Sequence, residues 1–198
     1  MTVVLDYYKS IQGYFDWEHL YDEIVQRLPE GGTFCEIGCW RGQSLSYLLT
    51  KLQEAEKNVR VIGVDHFKGS VEDAKLRIWA DRMDIQSMCR ENLEIIGYPF
   101  EIIDSPSVEG AAKFDDAYFD VVYVDGSHDY ESVKEDLLAW MPKVKSGGLL
   151  AGHDINQAGV RQALHEVLNE SQLRQLRESP RPKELGGFRW GLSWTLPM

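Results

Sequence analysis

Apolar residues recur along this chain in two alternating rhythms, short unbroken runs and helical stripes, and the alternation predicts its elements. Trp17, Leu20, Tyr21, Ile24, Val25 and Leu28 fall on one helical face, with Asp16 as the N-cap and Pro29, Gly31 and Gly32 as the stop. Thr33 to Ile37 reads as a strand, and Leu45, Leu48, Leu49 and Leu52 form the stripe of the next helix. A second strand, Val59 to Val64, ends at Asp65, and a longer, charge-rich helical stretch spans His66 to Leu93. Glu101 to Ile103 gives a short third strand and Asp120 to Val124 a fourth, whose unbroken Val-Val-Tyr-Val run suits a strand covered on both faces. Tyr130, Val133, Leu137, Leu138 and Met141 mark a helix closed by Pro142, and Gly147-Gly148 turns the chain into a fifth strand, Leu149 to Ala151. Val160, Leu164, Val167 and Leu168 supply a further helical stripe, and the aromatic tail from Phe188 to Leu196 predicts a closing strand or hairpin.

Strand and helix alternating four or five times mean a parallel sheet with helices on both faces, so the expected class is α/β. The chain has no repeats or long linkers, and its 198 residues suit a single domain, 1–198, with 1–30 as an N-terminal helical cap or lid. In such sheets ligands sit beyond the carboxyl ends of the strands, near the reversal of strand order. The residues just after each strand should therefore carry the chemistry.

The first strand runs into Glu36-Ile37-Gly38-Cys39-Trp40-Arg41-Gly42-Gln43-Ser44. Gly38 and Gly42 allow a tight turn against a ligand, and the next helix points its amides at the same space. The spacing is not the dinucleotide GxGxxG, and the glycines serve equally well as packing features. Asp65, at the end of the second strand and followed by His66, is placed to accept ribose hydroxyls or to cap a helix. Asp104 and Ser105, after the third, are placed to read an adenine edge or to form an ordinary turn with Pro106. The fourth strand ends in Asp125-Gly126-Ser127-His128 and the fifth in His153-Asp154. Neighbouring fourth and fifth strands would bring Asp125, His128, His153 and Asp154 to one rim, a set suited to a divalent metal.

A net charge of −11 opposes phosphate backbones and anionic lipid, so neither nucleic acid nor a membrane is an expected partner. Arg174, Arg177, Arg181 and Lys183 come nearest to a basic patch and read as a solvated face. Three cysteines without a CxxC pair, no leader-like start, and no apolar run near the roughly 20 residues of a membrane span make the cytoplasm the expected compartment.

On these residues the chain resembles class I S-adenosylmethionine-dependent methyltransferases. EIGCWRGQS is similar to their first motif, with Asp65 at the acidic ribose-binding position. FDVVYVDGSHDYESVKEDLLAWMPKVKSGGLLAGHDIN, followed by GVRQALHEVL, resembles the group containing small-molecule and sugar O-methyltransferases, and the similarity covers about residues 12 to 170. The resemblance implies a three-layer Rossmann-like methyltransferase fold, a mostly parallel seven-stranded sheet with a reversed last strand. It implies S-adenosylmethionine contacts at Glu36, Gly38, Gly42, Asp65 and Ser105, with His66 along the adenine. Trp40, Ser44, Asp104 and Asp125 are further cofactor candidates. In metal-dependent O-methyltransferases the ligand positions match Asp125, His153 and Asp154. Many of those enzymes have a carboxylate where this chain has His153, which moves the expectation from magnesium towards manganese or iron(II). His128 matches the position where catechol-type enzymes hold a lysine.

The expected reaction is transfer of the S-adenosylmethionine methyl group to a hydroxyl of a small-molecule acceptor, such as a vicinal diol, with His128 and Asp125 as catalytic residues. An imidazole of ordinary pKa, about 6.5, suits a general base. Tyr14, Phe15 and Trp79 are placed to cover an apolar acceptor or to anchor packing. Two rival readings are a non-catalytic S-adenosylmethionine-binding module and a metal-dependent hydrolase or hydroxylase-like enzyme on a related scaffold. Self-association into a homodimer stays open.

Overall fold

The computed structural model describes residues 6–179 and 192–198. A 3₁₀ turn at Tyr7–Ser10 precedes α1 (Glu18–Arg27), β1 (Thr33–Ile37), α2 (Gln43–Glu54) and β2 (Arg60–Asp65). Next come α3 (Ala74–Arg82), α4 (Ile85–Glu94), β3 (Glu101–Asp104) and the short α5 (Ser107–Ala111). β4 (Phe119–Val124), α6 (Tyr130–Trp140), β5 (Val144–Gly152) and α7 (Ala158–Val167) follow, then α8 (Glu170–Gln175), β6 (Arg177–Ser179) and β7 (Ser193–Pro197).

The seven strands form one sheet in the order β3-β2-β1-β4-β5-β7-β6. β1, β2, β3, β4 and β5 pair in parallel, whereas β7 runs antiparallel to both β5 and β6. The expected α/β class, mostly parallel sheet and reversed last strand are thus the observed ones. Central strands are covered on both faces, as the unbroken apolar run of β4 requires: Val121, Val122, Tyr123 and Val124 are all buried. One face packs Leu20, Tyr21 and Ile24 of α1 with Leu45, Leu48 and Leu49 of α2 and Cys89 and Leu93 of α4. The opposite face packs Ala111, Val133, Leu137, Trp140, Val160 and Leu164 from α5, α6 and α7.

Three local expectations need correction, and three short elements had no sequence signal. Trp17, not Asp16, occupies the N-cap of α1 and makes no side-chain cap bond, which leaves Asp16 to face His153. The single helical stretch expected over 66–93 is a loop followed by two helices, because Asp73 and Asp84 each accept backbone N–H bonds and so start a new helix. β5 begins at Val144 and carries Gly147 at φ 80° within it, so the glycine pair lies inside the strand instead of before it. α5, α8 and β6 carry too few apolar residues to show a period, and α8 is set by the capping box of Asn169 and Gln172. Phe188, Arg181 and Lys183 lie outside the described residues. No helix among the described residues is long and apolar enough to cross a membrane.

Candidate active site

Strand order reverses between β1 and β4, and the first residue past each neighbouring strand extends the ladder by one bond. Gly38 donates to the Val64 carbonyl at 2.9 Å, Asp125 to Ile37 at 2.8 Å, and His153 to Val124 at 3.2 Å. These bonds draw the loops after β1, β2, β4 and β5 to one edge of the sheet. A cavity of about 910 Å³ opens there, with Gly38, Trp40 and Asp65 on one side and Asp125, His128, His153 and Asp154 on the other.

The glycine turn is built from left-handed backbone. Gly38 (φ 89°), Trp40 (φ 46°) and Gly42 (φ 78°) all lie there, and a Cβ on Gly38 would sit 2.0 Å from the Asp125 carbonyl oxygen. Asp65 braces the turn: its carboxylate accepts from the Trp40 N–H at 2.8 Å and from the Phe67 N–H at 2.6 Å. Phe67 is itself left-handed at φ 56°, so one side chain stabilises two strained aromatic residues on adjacent loops. Burial raises the Asp65 carboxyl above its ordinary range, against these backbone bonds.

Facing this turn is a set of carboxylates and imidazoles. His128 Nε2 lies 2.9 Å from Asp154 Oδ2 and 3.9 Å from Asp125 Oδ1, while its Nδ1 lies 3.0 Å from Glu72 Oε1. Burial alone would lower the His128 pKa, but the nearby carboxylates of Asp125, Asp154 and Glu72 outweigh it and push the imidazole up to about 12. His153 Nδ1 lies 3.2 Å from Asp154 and 4.0 Å from Asp125, and Nε2 lies 3.7 Å from Asp16. Its ring centroid is 4.0 Å from that of Trp17. The Asp154 and Asp16 contacts overcome burial and push His153 to about 9. Asp154, left-handed at φ 58°, is held well below the usual carboxylate range: bonds from His128 and His153 prevail over its burial. Asp125 is shifted the other way, upward, chiefly by burial.

Of the sequence-predicted residues, Gly38, Trp40, Ser44, Asp65, His66, Asp125, His128, His153 and Asp154 all line the cavity. Glu36, Gly42, Asp104 and Ser105 do not. Glu36 is only 1% exposed, accepting from Ser44 Oγ at 2.7 Å and from the Tyr21 hydroxyl, and burial raises its pKa to about 8 against those bonds. Asp104 is exposed, and Ser105 is buried with its hydroxyl on the Pro106 carbonyl. Among the described residues, Asp125, His128 and Asp154 offer donor atoms within 4.8 Å of one another.

Sequence reasoning missed Asp16 and Glu72 as cavity residues. Asp16 stood in an N-cap context that hid it. Glu72 sits in a charged stretch, 56 positions from the histidine it meets, with no local signal to single it out.

A family profile described as a methyltransferase domain matches residues 35–155. The chain belongs to this methyltransferase family. The methyltransferase is similar to the solved structure of the O-methyltransferase NovP at 18% identity and TM-score 0.66, covering 89% of this chain and 78% of that one. The calicheamicin methyltransferase CalS11 is likewise similar, at 18% identity and TM-score 0.63, covering 90% of this chain and 77% of that one. An rRNA methylase from Streptococcus thermophilus matches at 11% identity and TM-score 0.61, covering 94% and 98%. At these identities the likeness is one of fold. A search of curated protein sequences finds no match.

Proposed function

We propose that this methyltransferase takes the methyl group of S-adenosylmethionine and delivers it to a hydroxyl oxygen of a small-molecule acceptor. The observation that carries the reading is that the braced glycine turn and the acid–imidazole set open onto one cavity. A sulfonium nucleoside is cationic and rich in donors, and the wall suits it. Six carboxylates line the cavity (Asp16, Asp65, Glu72, Asp73, Asp125 and Asp154), outnumbering the cations of Arg41, Lys75, His128 and His153. Gln43 Oε1 and Trp40 Nε1, from the same turn, are buried without a protein hydrogen-bond partner, as groups awaiting a ligand would be. Asp65 keeps lone pairs beyond its two backbone bonds for ribose hydroxyls. Glu36 acts indirectly in this reading, through Ser44, and Asp104 and Ser105, which do not line the cavity, are given no contact in it.

Two carboxylates and an imidazole form a donor set that fits a divalent cation of borderline hardness, such as manganese or iron(II). Such an ion would supply Lewis acidity, lowering the pKa of a hydroxyl bound to it. His128 Nδ1 lies 3.0 Å from Glu72 and Nε2 2.9 Å from Asp154, so we read the ring as doubly protonated here; it would join the donor set only on giving up the Nε2 proton. A doubly protonated imidazole cannot act as general base. We therefore assign proton acceptance to Asp125, whose burial makes it more basic than an ordinary carboxylate, and place His128 as the cation that orients Asp154. Transfer is an in-line displacement: the acceptor oxygen bonds to the methyl carbon, the carbon–sulfur bond breaks, and Asp125 receives the proton. Alignment supplies most of the acceleration. The net charge of −11 favours a small acceptor over nucleic acid, and a vicinal diol would engage both Asp125 and Asp154.

Calorimetric titration with S-adenosylmethionine and S-adenosylhomocysteine is the direct test, and saturable binding of both is expected. Absence of either binding removes the donor from this account. Asp125→Asn should lower turnover roughly 100-fold or more while leaving donor binding intact.

A further inference from the structure

We propose that Glu72 is a positioning residue that clamps the segment between β2 and α4 over the cavity by gripping the imidazole of His128. Residues from His66 to Leu76 form one wall of the cavity. The helix that follows them, α3, buries none of its side chains, and Val71, Ile78 and Met83 stand exposed. Past Phe67, apolar burial therefore gives this wall little hold.

Phe67, buried in the core and bonded to Asp65, anchors its start; beyond Phe67 two contacts hold it. Arg41, in the glycine turn, lies 5.5 Å from the Trp79 ring centroid and 3.0 Å from Met83 Sδ. On the opposite side Glu72 Oε1 accepts from the His128 backbone N–H at 2.7 Å and lies 3.0 Å from its Nδ1. The far nitrogen of the same ring meets Asp154 at 2.9 Å. The ring is thus pinned at both ends, and the position of the wall and the aim of Nε2 are set together. Moving the wall outward would release Nδ1 and let the ring turn away from Asp154.

The clamp itself does not depend on which reaction the cavity performs, but its effect on turnover rests on the methyl-transfer reading. Hydrogen–deuterium exchange on the full chain tests the clamp directly. Glu72→Ala should speed amide exchange across residues 70–82 about tenfold, as expected for losing hydrogen bonds to a charged group. Glu72→Asp keeps the charge but loses reach and should behave like Ala. Glu72→Gln keeps an accepting oxygen at the same reach and should restore most of the protection. Unchanged exchange in Glu72→Ala, or an equal rise in β1 and β4, overturns the clamp even if no acceptor is ever methylated. With an acceptor that the wild type turns over, Glu72→Ala should lower kcat about tenfold with little change in the KM for S-adenosylmethionine, and Glu72→Gln should recover most of it. Equal losses in both parameters would mark a merely structural residue and overturn the assignment. A wild type that methylates nothing bears on the function alone.

Discussion

Asp65 shows how much one side chain can carry. Both of its oxygens are engaged by N–H groups of left-handed aromatic residues, Trp40 and Phe67. Asp65→Asn would turn one accepting oxygen into a donor aimed at an N–H. A loss of about 1–3 kcal/mol in urea unfolding is expected, together with weaker S-adenosylmethionine binding by calorimetry. Glu36 makes a different prediction, about pH. Its folded pKa of about 8 stands above its usual 4.5, so the native state favours the protonated form. That contribution is complete below about pH 4.5 and is lost as pH rises through about 8. Glu36→Gln should therefore gain stability relative to wild type between pH 5 and pH 9, read as the difference between two series of denaturant melts. A constant difference across that range would contradict the shift.

At the scale of elements, β1, α2, β2 and β4 were legible in the sequence because apolar period and burial coincide. The strand Thr33–Ile37 is recovered residue for residue, with Phe34, Cys35 and Ile37 buried. The stretch over 66–93 was not, because α3 has no buried face and so no period to read; its limits are set by the side-chain caps of Asp73 and Asp84. Contacts between elements were the hardest to foresee. The β1 and β4 ends touch through Gly38 and the Asp125 carbonyl, 87 positions apart, and nothing around either residue announces it. Gly38→Ala should accordingly cost several kcal/mol, or yield no folded protein, since it combines a positive φ with a backbone collision. Circular dichroism with urea titration reads the loss.

For the whole molecule, strand-end logic located the cavity, and the charge balance of its wall became visible only in three dimensions. Asp125, His128, His153 and Asp154 were placed at one rim from strand adjacency alone, and they do meet there. Their charge states were not legible, because the His128 shift depends on how closely Asp125, Asp154 and the sequence-remote Glu72 approach the ring in the folded site. Binding at the cavity should stabilise the fold as a unit. S-adenosylhomocysteine at about 100 times its Kd adds about 2.7 kcal/mol, a rise in Tm of roughly 5–10 °C by scanning calorimetry. No shift at saturation would separate the cavity from donor binding.

The reversed strand β7 gives the centre a dependence on time as well as space. It inserts between β5 and β6, where Trp194 Nε1 donates to the His153 carbonyl at 3.2 Å and the indole packs on Gly152. During synthesis the loop bearing His153 and Asp154 emerges some 40 residues before the strand that seats it. The wall of the cavity that carries His153 and Asp154 is therefore completed by a strand further along the chain, and it is seated only once residues 193–197 dock beside β5.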